Sequence, residues 1–105
     1  MELNDVEKVP LGTEKKLVVS IDPIEGLHMS GYNFTVEAYT RGKILSIPKS
    51  KTKKIDDDNY AVCVDTAQIG KGRMMIKVIA QIPDADFDDL LRTEISIVDT
   101  RIDVI

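Results

Sequence analysis

The chain holds one cysteine, one histidine and no tryptophan among 105 residues. A lone Cys63 closes no internal disulfide and builds no multi-thiolate metal site. Aromatic residues make up 5% of the chain, too few to line a platform on which nucleic-acid bases stack. No apolar run approaches the roughly 20 residues that a helix needs to cross a bilayer, so no membrane partner is expected. The opening Met1-Glu2-Leu3-Asn4-Asp5 lacks the basic and apolar regions of a secretion signal, which points to a reducing compartment. Without an export signal, Asn33-Phe34-Thr35 reads as strand residues despite spelling a glycosylation acceptor. Basic charge is in the minority, with 14 Lys+Arg against 18 Asp+Glu and a net charge of −4. That balance argues against nucleic acid as a partner.

What is present is a globular composition, 43% hydrophobic and 30% charged, in a chain long enough for one core and too short for two. Period-two alternation dominates. It predicts strands over Lys16–Asp22, Tyr32–Thr40, Lys43–Ile47, Lys51–Ile55, Tyr60–Asp65, Arg73–Ile82 and Arg92–Asp99, with Ile102 and Val104 continuing the pattern. Pro23 and Pro48 close strands because proline cannot donate to a ladder. Lys51–Ile55 reads as the hairpin neighbour of Lys43–Ile47 across Pro48-Lys49-Ser50. Thr66–Ile69 reads as one short turn capped by Thr66, with Gly70 in the left-handed position that ends it. Met1–Glu14, polar and broken by Pro10 and Gly12, reads as a flexible arm before a single domain over 15–105. About seven short strands with turn signals every ~8–12 residues give an all-β pattern, that of a sandwich or small barrel.

No stretch offers a reaction centre. Cys63 and His28 form the one conventional thiol pair available, yet Cys63 sits mid-strand, where a small buried packing residue belongs. No catalytic residue is assigned. The loop Asp84-x-Asp86-x-Asp88-Asp89 opens like a calcium loop. It fails at its sixth position, Asp89 in place of glycine, and at its twelfth, Ile95 in place of glutamate. Asp84, Asp86 and Asp88 stand as a weak metal candidate, against a solvated turn in which Phe87, Leu90 and Leu91 drop into the end of the core. Gly70-Lys71-Gly72 lacks both the third glycine of a dinucleotide site, where Met75 stands, and the Ser or Thr of a P-loop. No cofactor is implied.

The charge is unevenly spread. Arg41, Lys43, Lys49, Lys51, Lys53 and Lys54 place +6 on one segment without an acid, which for a net charge of −4 leaves −10 on the remainder. Lysines of this kind guard an edge hairpin against stray pairing; they also form a cationic patch able to dock on an acidic surface, including that of another copy. Apolar residues on second faces (Val18, Tyr39, Met75, Ile79, Val98) would, if exposed together, exceed what a monomer usually tolerates as one patch. The strand-like end at Ile102 and Val104 invites a partner as an unpaired strand would.

Two groups of residues carry a resemblance. Val64-Asp65-Thr66-x-x-Ile69-Gly70-x-Gly72 is followed by Ile82-Pro83-Asp84-x-Asp86-Phe87 and Arg92-Thr93-Glu94. Earlier stands Ile21-Asp22-Pro23-x-x-Gly26-Leu27-His28-Met29 with Asn33-Phe34. Together they resemble small β-sandwich structural proteins of tailed bacteriophages and prophages of gut anaerobes, including crAss-like phages, over about Lys16 to Thr100. The resemblance implies an immunoglobulin-like antiparallel β-sandwich of about seven strands serving as a non-enzymatic virion component, a head fibre, cap or tail/baseplate adaptor, assembled in the host cytoplasm. Its partners would be itself, as a homodimer or higher, and virion proteins such as a fibre trunk or capsid protein. The alternative is a carbohydrate- or ligand-binding sandwich module, which would normally carry surface Trp or Tyr.

Overall fold

The computed structural model describes residues 6–105. Eight strands build two sheets: β1 (Glu7–Val9), β2 (Glu14–Ser20), β3 (Asn33–Tyr39), β4 (Ile44–Pro48), β5 (Lys53–Asp56), β6 (Asn59–Asp65), β7 (Gly72–Pro83) and β8 (Leu91–Val104). One sheet has the order β1-β8-β7-β3-β4 and the other β2-β6-β5. With β2 to β8 taken as strands B, C, C′, D, E, F and G, the sheets read G-F-C-C′ and B-E-D. That is the immunoglobulin-like arrangement. Every pairing is antiparallel save β1 with β8.

Alternation explains the two layers. On β3, Phe34, Val36 and Ala38 are buried, and on β7 so are Met74, Ile76, Val78, Ala80 and Ile82. Facing them from the smaller sheet are Val19, Tyr60, Val62 and Val64. Lacking the disulfide and tryptophan common in this architecture, the core is filled by Phe34, Met29, Met74 and Ile69. Phe34 meets Tyr60 edge-on, with ring centroids 5.1 Å apart at 80°, the geometry that sets a positive ring edge against a negative face.

The corner between β6 and β7 is held by side chains. Thr66–Gln68 forms a 3-10 turn whose cap is Asp65, accepting from the Ala67 N–H at 3.0 Å. Thr66 was expected to cap it. Instead its buried hydroxyl accepts from Gly12 N–H (2.9 Å) and donates to the Thr13 carbonyl (2.8 Å). Gly70 follows at φ +87°, as the left-handed stop requires.

Three expectations change. Of the arm placed over residues 1–14, residues 1–5 lie outside the described residues, whereas Glu7–Val9 pairs with Ile102–Val104 and Glu14 already begins β2. β4 and β5 are not a hairpin: β4 pairs with β3, β5 pairs with β6, and the 3-10 turn Lys49–Lys51 carries the chain between sheets. Arg92–Asp99 and Ile102–Val104 belong to one strand, bent where Arg101 takes φ 61° and the β7–β8 register shifts.

Candidate functional site

The two sheets are unequal, and the inequality creates the site. Opposite five strands stand three, ending at β2, and β1 reaches along β8 only over Ile102–Val104. From Arg92 to Asp99, β8 pairs with β7 on one side, and among the described residues no strand pairs with the other. The gap between β2 and this stretch is an open groove of about 630 Å3, lined by Leu17, Val19, Ile76, Val78, Ser96 and Val98 among others.

Register assigns the faces. Ser96 lies opposite Val78 and Val98 opposite Ile76, and both β7 residues are buried, so Ser96 and Val98 sit on the groove side. Ile95 and Ile97 lie opposite Ile79 and Lys77 on the outward face. Ile95, Ile97 and Val98 are 55%, 57% and 54% exposed, and Val18 across the groove is 55% exposed. Ile95 and Ile97 outward, and Val98 on the groove side among the polar Arg92, Glu94 and Ser96, thus leave aliphatic surface exposed beside a free edge, the kind of surface that marks interaction sites.

Both ends of the stretch are fixed by ion pairs. Arg92 reaches Asp84, Glu94 (2.9 Å) and Glu25 (3.3 Å). Arg73 reaches Asp99 (2.9 Å) and Asp103. The Arg101 N–H and then the Arg73 guanidinium hold the Asp99 carboxyl below its ordinary value, because both favour the carboxylate.

Of the sequence-predicted docking residues, Ile102 and Val104 are the clearest correction. They are buried core residues clamped between β1 and β7, and the chain beyond is tied by Ile105 N–H to the Val9 carbonyl (2.9 Å). Lys49 is likewise structural. Its ammonium donates to the carbonyls of Met29 (3.1 Å), Ser30 (3.2 Å) and Tyr32 (2.7 Å) and lies over the Phe34 and Tyr60 rings. Burial, with Lys54 nearby, pushes its pKa down. Arg41, Lys43, Lys51, Lys53 and Lys54 are exposed, spread over two sheet edges rather than one hairpin. Lys54 pairs with Asp57 at 3.0 Å, a hydrogen bond that raises the lysine pKa and lowers that of the aspartate.

The acidic loop is arranged as a turn. Asp84 accepts from the Asp86 N–H (3.0 Å) and is paired with Arg92. Among the described residues no three His, Cys, Asp or Glu side chains converge as a metal site would need. Phe87, Leu90 and Leu91, expected to drop into the core, are exposed instead, since Ile82 already closes that end and Leu90 turns outward at φ 63°. Cys63 is exposed rather than buried, on the outer side of β6. His28 is engaged by Asp58 at 2.9 Å, just before the start of that strand, so the two residues form no dyad.

The free β8 edge was not foreseen; its signal was the alternation of Thr93 to Val98 with apolar residues on both faces. The class defined by fold and site is a small two-sheet immunoglobulin-like sandwich with one open side. Beyond that class, the chain matches no known protein family, no curated protein and no solved structure.

Proposed function

We propose that this chain is a non-enzymatic structural component of a bacteriophage virion, a head fibre, cap or tail/baseplate adaptor, working by protein–protein assembly. The observation that carries the assembly reading is the unpaired stretch of β8 from Arg92 to Asp99 beside the groove, with Ile95, Ile97 and Val98 exposed on it. An edge of that kind supplies backbone hydrogen bonds and apolar contact to a partner, the two ingredients of strand addition. The virion reading rests on the loop and turn residues of the resemblance, from Asp65-Thr66 through Ile82-Pro83-Asp84 to Arg92-Thr93-Glu94. The exposed cations Arg41, Lys43, Lys51, Lys53 and Lys54 would set orientation and on-rate against an acidic partner. The alternative, a carbohydrate-binding module, is disfavoured by the groove itself, whose lining is aliphatic with Ser, Thr and the two carboxylates Asp22 and Asp99, and holds no aromatic ring on which a sugar would stack.

The test is mass spectrometry of phage particles banded on a density gradient from an induced source culture. Peptides of this chain recovered in fixed ratio with capsid or tail proteins support the reading. Their recovery from the soluble fraction and not from particles overturns it.

A further inference from the structure

Three features compete. The acidic β7–β8 tip exposes Phe87, Leu90 and Leu91 but says nothing of what would cover it, and the Lys49 cage is fully used by the fold. The open β8 edge goes further, because its own sequence names an occupant.

The other sheet edges are guarded. β4 is five residues long and ends on Pro48; β5 is four residues long, carries Lys53 and Lys54, and has an irregular register at Lys54/Asp56. β2 carries Lys15 and Lys16. These are the devices that natural sheets use to stop edge-to-edge pairing. From Thr93 to Val98, β8 has no proline, no lysine and no bulge before the register shift opposite Arg73–Met75, and Glu94 is its one charge. An edge so lightly guarded in a molecule that guards the rest is suited to pairing.

We infer that the partner at this edge is a second copy of the same chain, its β8 running antiparallel to the first with the two-fold axis at Ser96. This deepens the assembly reading and rests on it. The register is self-complementary. Each Ile95 faces the second copy's Ile97 on the outward side, Glu94 faces Val98, and Thr93 faces Asp99 as a hydroxyl donor to a carboxylate. Arg92 faces Thr100. No like charges meet, and the paired isoleucines sit at the ~4.5–5.5 Å separation where cross-strand contacts stabilise a sheet. A shift by one residue would put Ile95 opposite a groove-side residue, which pairing forbids. A shift by two keeps a single isoleucine pair, Ile97 with Ile97 or Ile95 with Ile95, and sets the remaining isoleucines against Asp99 or Thr93. β1 ends the available edge at Ile102, so the pairing cannot slide further. The result is one continuous sheet across both copies, with the grooves on the same side of it. The isologous arrangement closes at two copies and does not propagate.

The strand pair is a small interface, so dissociation in the range of about 1–100 μM is expected. The experiment is a light-scattering and sedimentation concentration series to about 500 μM on the full chain and two variants, S96K and S96E. Ser96 is exposed, and unchanged circular dichroism and urea midpoints would show that both variants fold. At the axis each new charge faces its own copy at cross-strand distance, so either variant alone should weaken dimerisation at least about tenfold. An equimolar mixture should restore it to within about threefold of the parent, because lysine then faces glutamate. A parent that stays monomeric throughout overturns the inference. So does a dimer that S96K and S96E leave intact, or one that the mixture does not rescue. In the last two cases the chain still assembles, and the virion test above, read on particles, stands or falls separately.

Discussion

Replacing Thr66 by valine tests whether one hydroxyl fastens β1 to the rest of the sandwich. The side chain is fully buried, and its oxygen joins the β1–β2 loop to the β6–β7 corner through Gly12 N–H at 2.9 Å and the Thr13 carbonyl at 2.8 Å. Valine keeps the shape and removes both bonds. The Thr13 carbonyl retains the Thr66 N–H at 3.1 Å, so it is not orphaned. Gly12 lies in an exposed loop and its N–H recovers part of its loss from water. A buried unsatisfied donor costs ~1–3 kcal/mol and a lost net bond ~0.5–1.5 kcal/mol; partial wetting brings the expected sum to about 1.5 kcal/mol. With a urea slope of about 1–1.5 kcal/mol/M, as befits a small domain, the midpoint by far-UV circular dichroism should fall by about 1–1.5 M. The loss should also be local. Amide exchange at Leu11 and Ile105, whose N–H groups close the clamp between the chain end and β1, should quicken more than exchange in β3 and β7. A valine variant within about 0.5 kcal/mol of the parent, with Leu11 and Ile105 still protected, refutes the fastening role.

Tyr32 is buried, and its hydroxyl has no hydrogen-bond partner among the described residues; Tyr32→Phe should therefore stabilise the fold by about 0.5–1 kcal/mol in the same urea assay. Lys49→Ala should cost about 2 kcal/mol, because three carbonyls and two rings lose a cation, whereas alanine at the exposed Lys51 or Lys53 should stay within about 0.5 kcal/mol. Backbone and side-chain N–H donors hold Asp56 below its ordinary 3.8, and Lys54 and Ser30 do the same for Asp57. Their stabilisation, shared by Asp99, is present above pH 3.8 and lost as pH falls through the lower folded-state values. The thermal midpoint should thus decline on acidification below about pH 4, and Asp56→Asn should flatten that decline.

Much of the fold is legible because alternation is a local signal. β2, β3, β6 and β7 each carry an apolar set at every second residue, and the structure buries those sets with shifts of one or two residues at the ends. β1 was not legible: Glu7-Lys8-Val9 offers one apolar residue, and it becomes a strand by pairing with Ile102–Val104, a partner most of the chain away. The mispaired β4 and β5 have the same cause. Adjacent short strands around a proline turn read as a hairpin, but β4 takes β3 as its partner, Lys49 is fastened to the carbonyls of Met29, Ser30 and Tyr32 just before β3, and β5 pairs with β6. Cys63 shows the limit differently. Alternation put it opposite Val62 and Val64, correctly, yet could not say that this outward position is exposed while Ala61 on the same face is buried. The charged segment was visible residue by residue, though not that one of its cations is structural.

The open side follows from an arithmetic of edges rather than from any one residue. In a sandwich, the strand that closes one side must cover β8 and β2 together, since each ends its sheet there. β1 covers β8 at its last turn of the ladder and then crosses through Pro10 to Thr13, where Thr66 binds it, directly into β2. So short a crossing cannot run back along the upper half of β8. The chain thereby gains a tightly fastened lower end and leaves Arg92 to Asp99 without a neighbour. Apolar surface so exposed costs ~25 cal/mol for each Å2 that a partner could cover, and Val98, Ile95 and Ile97 recover part of it as soon as any complementary strand arrives. The same residues would make the molecule aggregation-prone if the register were ambiguous. In the proposed pairing the Ile95–Ile97 reciprocity about Ser96 would limit this, because a register shifted by two keeps one isoleucine pair in place of two.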